Sequence, residues 1–248
     1  MNTTIETILN HRSIRKFTND KVSDDQLNLI VEAASKASTS SYLMAYSIIS
    51  VTDEEKKKEL AQITNQPYVQ DNGHLLLFCA DLYRNSVNGS ENEYEEMTLN
   101  LENTEHLLVS TIDAALAAQN ATIAAESLGL GICYIGSIRN NMEKVDQLFH
   151  LPKHVIPLFG LAIGTPDHNP DQKPRLPKKA YFFENEYPNH DQLTQEIEQF
   201  DSKIAAYYKE RSFNQRQDSW SAQMTRKLTI PTRMDVTTYV QSKQFNKR

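Results

Sequence analysis

Cysteine is nearly absent from these 248 residues, with only Cys79 and Cys133 present. Both lie inside apolar runs, Leu75–Ala80 and Gly131–Tyr134, and neither belongs to a CxxC pair. That excludes a disulfide framework or a redox dithiol and leads us to expect a reducing, cytoplasmic setting. No secretory leader is expected either: the first positive charge arrives at Arg12 and no apolar run follows it. No stretch is read as approaching the ~18–20 apolar residues of a membrane span, so no membrane partner is expected. Cations are outnumbered, 26 Lys and Arg against 32 Asp and Glu for a formal charge of -6. Phosphate-backbone binding rests on clustered cations, so nucleic acid is not expected as a partner.

Several enzyme signatures are lacking as well. Gly129-Leu130-Gly131 follows a helix and precedes a strand, the reverse of the order that aims a helix N-terminus at pyrophosphate. There is no Walker A sequence and no Gly-x-Ser-x-Gly elbow. His150 and His154 are four apart, but Pro152 breaks the helical spacing and no Glu follows the first His, so no metal is expected. No catalytic side chain is assigned.

What is present reads as an α+β chain. Thr3-Thr4-Ile5-Glu6 has the form of a capping box ahead of Ile5, Ile8 and Leu9. Ser23 through Gln26 opens a second helix, with Leu27, Ile30, Val31 and Ala34 at helical spacing, and Thr52 through Glu55 caps a charged one. Strands are expected at Tyr46–Val51, Leu75–Ala80, Gly131–Ile135 and Ile156–Ile163, with a helix at Met142–Phe149. Asn85–Asn103 reads as a mobile loop or an exposed helix start. From Glu105 to Leu128 runs an Ala-rich helix placed at the centre of the fold, with bulk from Ile112, Leu116 and Ile123 and a stop at Gly129. Thr165–Tyr187 reads as an extended, ordered arm. The last sixty residues are polar and helical, and their narrow stripe of Ile197, Phe200, Ile204 and Tyr207/Tyr208 needs another surface, such as a second subunit. We divide the chain into a core, 1–190, and a helical extension of the same domain, 191–248.

Chemistry gathers in a few segments. His11-Arg12-Ser13-Ile14-Arg15 packs two guanidinium groups, a hydroxyl and an imidazole beside an apolar helix. A hydroxyl run follows at Ser38-Thr39-Ser40-Ser41, then Tyr134-Ile135-Gly136-Ser137, then Lys173-Pro174-Arg175. A flavin mononucleotide asks for such a set: cations for its phosphate, donors for its ribityl chain, a positive charge near the pyrimidine edge, and backbone N–H groups that small residues bring close. Each segment also has a plainer use, the arginines as surface ion-pair donors and the serines as a capping turn.

These segments, together with Gln66-Pro67-Tyr68-Val69, Phe78-Cys79-Ala80-Asp81, Pro157 through Gly164, Tyr207 through Arg211 and Asp218 through Ser221, occur in an order that resembles the nitroreductase superfamily. The nearest resemblance within it is to the oxygen-insensitive NADPH nitroreductase / flavin reductase P group. The resemblance implies an antiparallel central sheet flanked by helices, a homodimer with two FMN sites at its seam, and a C-terminal extension wrapping the partner. It implies ping-pong hydride transfer from NADPH through FMN N5 to nitroaromatics, quinones, flavins or similar planar aromatic acceptors. Carried over by motif, Arg12, Ser13 and Arg175 hold the phosphate with His11 nearby. Arg15 and Lys173 face the ribityl and pyrimidine edge. Ser38, Thr39, Ser40 and Ser41 come from the partner subunit, Gln66 reaches the ring, and Tyr134, Ile135, Gly136 and Ser137 line its N5 side. Arg211, with Arg216 as a second candidate, is implied to contact NADPH. The chain departs from the pattern at Ser137 and Ser212, where glycines often stand. A flavin-holding protein without turnover would share every flavin motif and lack a working nucleotide site.

Overall fold

The computed structural model describes residues 2–248. Four strands, β1 (Tyr46–Val51), β2 (His74–Asp81), β3 (Gly131–Ile135) and β4 (Val155–Gly164), form one antiparallel sheet in the order β1-β2-β4-β3. The α-helices are α1 (Thr3–Leu9), α2 (Asp24–Ser35), α3 (Glu54–Thr64), α4 (Tyr83–Ser86), α5 (Glu91–Leu101), α6 (Thr104–Ser127), α7 (Met142–Phe149), α8 (His190–Glu210), α9 (Trp220–Thr229) and α10 (Val236–Ser242).

Strand alternation sorts the core into two faces. Leu76, Phe78, Ile132, Leu161 and Ile163 meet the alanines of α6 and Ile30 and Ala34 of α2. Leu75, Leu77, Cys79, Ile135 and Ala162 meet Leu60 of α3 and Val145 of α7. With both faces covered, β2 is buried at all eight positions, which is why its sequence reads as an unbroken apolar run.

Helix α6 lies in the core, as its run of alanines leads one to expect. Its alanines are the packing surface: Ala114, Ala117, Ala118, Ala121 and Ala125 are fully buried, while Leu108, Ile112 and Leu116 are 52%, 54% and 43% exposed. Small side chains let the helix axis approach the sheet and α2, so its bulk points outward. By length and composition α6 is apolar enough to cross a membrane, contrary to the sequence reading. Its packing here is that of a core helix, with Asp113 fully buried on it.

Caps account for two further differences. Asn2, one residue before the expected box, caps α1 by accepting from Ile5 N at 3.0 Å. The segment 85–103 is mostly helical, because Ser90 and Glu93 form a full capping box ahead of α5. The Ser23–Gln26 box on α2 and the Asp53 cap on α3 form as expected, and Gly129 follows α6 at φ +79°.

The chain forms two compact units. The first comprises the described residues up to Asn169 and Arg233–Arg248, the second Pro170–Thr232. The last helix of the expected extension therefore contributes Tyr239 and Val240, with Phe245 beyond it, to the first unit's core. The second unit has its own cluster of Phe200, Ile204 and Tyr208, the middle of the stripe expected on α8.

Candidate flavin and nucleotide site

The His11–Arg15 segment is built onto the sheet as a short parallel addition. Ser13 bridges Ile132, and Ile14 N–H donates to Ile132 O at 2.9 Å. Gly131 permits that approach, since a Cβ there would stand 2.6 Å from Ile14 Cγ1. His11 Nδ1 lies 2.6 Å from Glu126 Oε1 of α6, which turns the ring toward that helix. Arg12 donates to the Asn10 carbonyl at 3.3 Å and to Asn169 Oδ1, at the rim of an open cavity of about 730 Å3 that Glu126, Gly131 and His168 also line.

Arg15 and Gln66 meet at a residue not singled out in the sequence. The Tyr68 hydroxyl donates to Gln66 Oε1, lies 3.8 Å from Cys133 Sγ of β3 and feels the charge of the nearby Arg15. Burial, then the neighbouring Cys133, push the Tyr68 hydroxyl up to about 12, with Arg15 opposing. Tyr68 therefore stays protonated and able to donate at neutral pH. The signal for it was its place in Gln66-Pro67-Tyr68-Val69, where Pro67 opens a tight 3-10 turn that brings positions 66 and 68 together.

Tyr134 projects to the other face of β3. Its hydroxyl accepts from Thr122 at 3.1 Å and its ring meets Phe159 edge-on at 5.5 Å. On the Tyr68 side this residue can offer only main chain. Immediately beyond it, Gly136 and Ser137 start a 3-10 turn. Arg139, a further residue missed in the sequence, places its guanidinium where a Cβ on Gly136 would be 3.3 Å away. It donates to Leu158 O at 2.5 Å, and burial, then Arg233, push its pKa down. Among the described residues Ser137 Oγ is buried without a hydrogen-bond partner.

The Ser38–Ser41 run sits on a separate support. Ser40 N–H and Ala45 N–H each donate at 3.0 Å to the two carboxylate oxygens of Asp113, and Arg84 donates to the Met44 and Tyr46 carbonyls at 2.7 Å. Within this loop Ser41, Tyr42 and Met44 hold φ of 49°, 60° and 48°, a left-handed run rare outside glycine. An acidic residue immediately before Ala114-Ala115, in the middle of an otherwise apolar stretch of α6, was the available signal for Asp113.

In the second unit Lys173, Arg211 and Arg216 collect around Tyr208. The guanidinium carbons stand 4.7 Å and 4.2 Å from its ring centroid, and Lys173 Nζ stands 5.7 Å away. Arg175 donates to the Lys173 carbonyl at 2.7 Å, and Ser212 bonds Asp171 through both N–H and hydroxyl. Serine in place of glycine at 212 thus supplies a second tether for this turn.

The residues fit a flavin mononucleotide. The orphaned Ser137 hydroxyl is a free polar group at the strand end, Gly136 leaves space beside a guanidinium, and Arg15, Gln66 and Tyr68 offer polar groups from one cluster. Among the described residues no cluster of three or more His, Cys, Asp or Glu is arranged to hold a metal.

Comparison with known proteins agrees. Residues 8–165 match the nitroreductase family and residues 173–248 match the nitroreductase family C-terminal domain. The chain is 51% identical to the FMN reductase (NADPH) of Bacillus subtilis, covering all of both chains, and 42% identical to the NADPH-flavin oxidoreductase of Vibrio harveyi, again over all of both. Among solved structures, a Bacillus subtilis nitroreductase superposes with a TM-score of 0.92 at 50% identity, over 99% of this chain and 100% of that one. The Vibrio harveyi NADPH:FMN oxidoreductase, solved with NAD+, gives 0.87 at 40% identity over 100% of both. Sheet order, motif order and these likenesses place the chain in the nitroreductase family.

Proposed function

We propose that this protein is an NADPH-dependent FMN oxidoreductase that reduces flavins, quinones, nitroaromatics or similar planar acceptors in a ping-pong cycle. The observation that carries this reading is the Tyr68 hydroxyl bonded to Gln66, with Arg15 close by, beside the strand that leads into Gly136-Ser137. The flavin, when bound, supplies the two-electron redox centre between nucleotide and acceptor.

The chain's own residues position and polarise. Arg12, Ser13 and Arg175 bind phosphate, with His11 oriented beside them by Glu126. Arg15, beside Tyr68, holds positive charge at the pyrimidine edge, and Lys173 adds a second cation there. The main chain of Tyr134 through Ser137 offers N–H donors where the ring's reactive edge rests. Arg211 takes the 2′-phosphate of NADPH, with Arg216 next to it. No side chain is asked to donate or remove a proton.

Two subunits complete the site in this reading. The outward Leu108, Ile112 and Leu116 of α6, with exposed Ile5, Ile8 and Leu9 of α1, form an apolar surface suited to a second copy. The Asp113-clamped serine loop then serves the partner's flavin. The two buried, unpaired cysteines are in keeping with work in the cytoplasm.

Stopped-flow mixing of the FMN-loaded protein with NADPH or NADH tests the proposal. Rapid bleaching of the flavin absorbance by NADPH is expected. Arg211→Ala should slow the NADPH reaction selectively, whereas equal losses with both nucleotides would refute its 2′-phosphate role. No bleaching by either nucleotide would leave a flavin-holding protein without turnover.

A further inference from the structure

Tyr208 lies at the end of α8, 2% exposed, against Phe200 and Ile204. Its hydroxyl donates to Gln223 Oε1 at 3.1 Å, and that oxygen also accepts from Arg216 Nη2 at 2.8 Å. Lys173 Nζ stands over the same ring at 5.7 Å from its centroid, and its charge bears on the hydroxyl. The arginine carbons, at 4.7 Å and 4.2 Å, are close enough for the ring itself to attract them.

Three cations therefore share one phenol, and they differ in what else holds them. Arg216 is paired with Asp218 at 3.3 Å, and Asp218 is itself shared with Arg226 at 2.8 Å. Arg211 and Lys173 have no carboxylate within ion-pairing distance among the described residues. Arg211 is held by the Asn214 carbonyl, which its Nε and Nη2 both reach, and by the tyrosine ring. Burial of Tyr208 raises the pKa of its hydroxyl, but the neighbouring Lys173 and Arg216 oppose this, and the group is held below the ordinary phenol value.

We infer that Tyr208 is a positioning residue that couples the flavin-side lysine, Lys173, to the nucleotide-side arginine, Arg211. Its ring holds Arg211 for the 2′-phosphate and its hydroxyl holds Lys173 for the flavin. This rests on the proposed function, because it assigns a role within the same site. The two contacts come from different parts of one side chain, so they separate chemically. Tyr208→Phe keeps the ring and removes the hydroxyl, whereas Tyr208→Leu removes both.

The experiment measures two quantities on each variant: the FMN dissociation constant of the apoprotein by fluorescence titration, and the NADPH-over-NADH ratio of kcat/KM for the holoenzyme. Tyr208→Phe is expected to weaken FMN about fivefold while keeping the nucleotide ratio. Tyr208→Leu is expected to weaken FMN similarly and to lower the ratio about tenfold. Unchanged FMN affinity in Tyr208→Phe overturns the inference, even where Tyr208→Leu does not fold. An unchanged ratio in folded Tyr208→Leu overturns it as well. Arg211→Ala separates the two failures: a retained ratio there means that the nucleotide reading itself is wrong. A lowered ratio in Arg211→Ala beside an unchanged one in Tyr208→Leu removes only the positioning role.

Discussion

Asp113→Ala is the most telling perturbation of the serine loop. The carboxylate is fully buried and accepts two main-chain N–H groups, from Ser40 and Ala45. Its removal strands the buried Ala45 donor at ~1–3 kcal/mol, while the part-buried Ser40 donor can recover water and loses only ~1 kcal/mol. Against this, the left-handed Ser41, Tyr42 and Met44 store strain of ~1–2 kcal/mol each, part of which is released once the clamp is gone. We therefore expect a net loss of ~2 kcal/mol, which at ~2–4 °C per kcal/mol is a fall of roughly 4–8 °C in Tm. Flavin affinity should fall further than stability does, because the relaxed loop no longer presents its hydroxyls. Asp113→Asn should fall between the two, since one oxygen remains and an amide N–H then faces a backbone donor. Differential scanning fluorimetry, amide exchange at Ser40 and Ala45 and FMN titration check these outcomes. An unchanged Tm with unchanged exchange in Asp113→Ala would refute the clamp.

Three further outcomes are expected. Tyr68→Phe should raise the FMN dissociation constant about fivefold, the loss of a ~1 kcal/mol hydrogen bond, with little change in Tm; equal affinity by fluorescence titration would count against the Arg15–Gln66 link. Gly131→Ala should force Ile14 and the His11–Arg15 segment off β3 and cost about 1–3 kcal/mol, read as a lower Tm together with weaker FMN binding. The fold should also lose stability in mild acid. Burial holds the His154 pKa below its ordinary value, with Glu102 opposing and Lys153 and Lys247 assisting. The unfolded chain therefore binds the proton first, and stability present at about pH 8 is lost as pH falls through about 6.5. His154→Gln should flatten the Tm profile between about pH 5 and 8 in part, because His74, also depressed by burial and by Lys57 and Lys21, keeps the same sign. An identical slope in the variant would remove His154 as a cause.

The strands were legible because each carries a local pattern: β3 and α7 appear at the expected bounds, and β2 and β4 differ by one residue at each end. Ser23 and Gln26 likewise announce α2 by a contact three residues long. Arg15, Gln66 and the Gly136 turn could be grouped through motif order. What joins them was legible only in part: the Pro67 turn brings Gln66 to Tyr68 locally, but Arg15 and Cys133 lie far along the chain. Asp113 likewise stands out beside the alanines of α6, but its partners lie about seventy residues earlier. The alanines of α6 announced a close helix contact, and five of them face the core, since close approach of a helix to a sheet rewards small side chains. Which way its larger apolar side chains turn could not be read from composition.

Residues 170–232 interrupt the first unit's polypeptide instead of trailing from it, and the returning segment is firmly seated: Phe245 is fully buried, and Lys247 and Arg248 pair with Glu102. A protease that nicked the interrupting stretch would cut the covalent link yet leave both flanks noncovalently docked, so a cleaved sample should run whole on a sizing column and split only in denaturant. Trimming from the far end would instead pull a plug out of the first unit's interior.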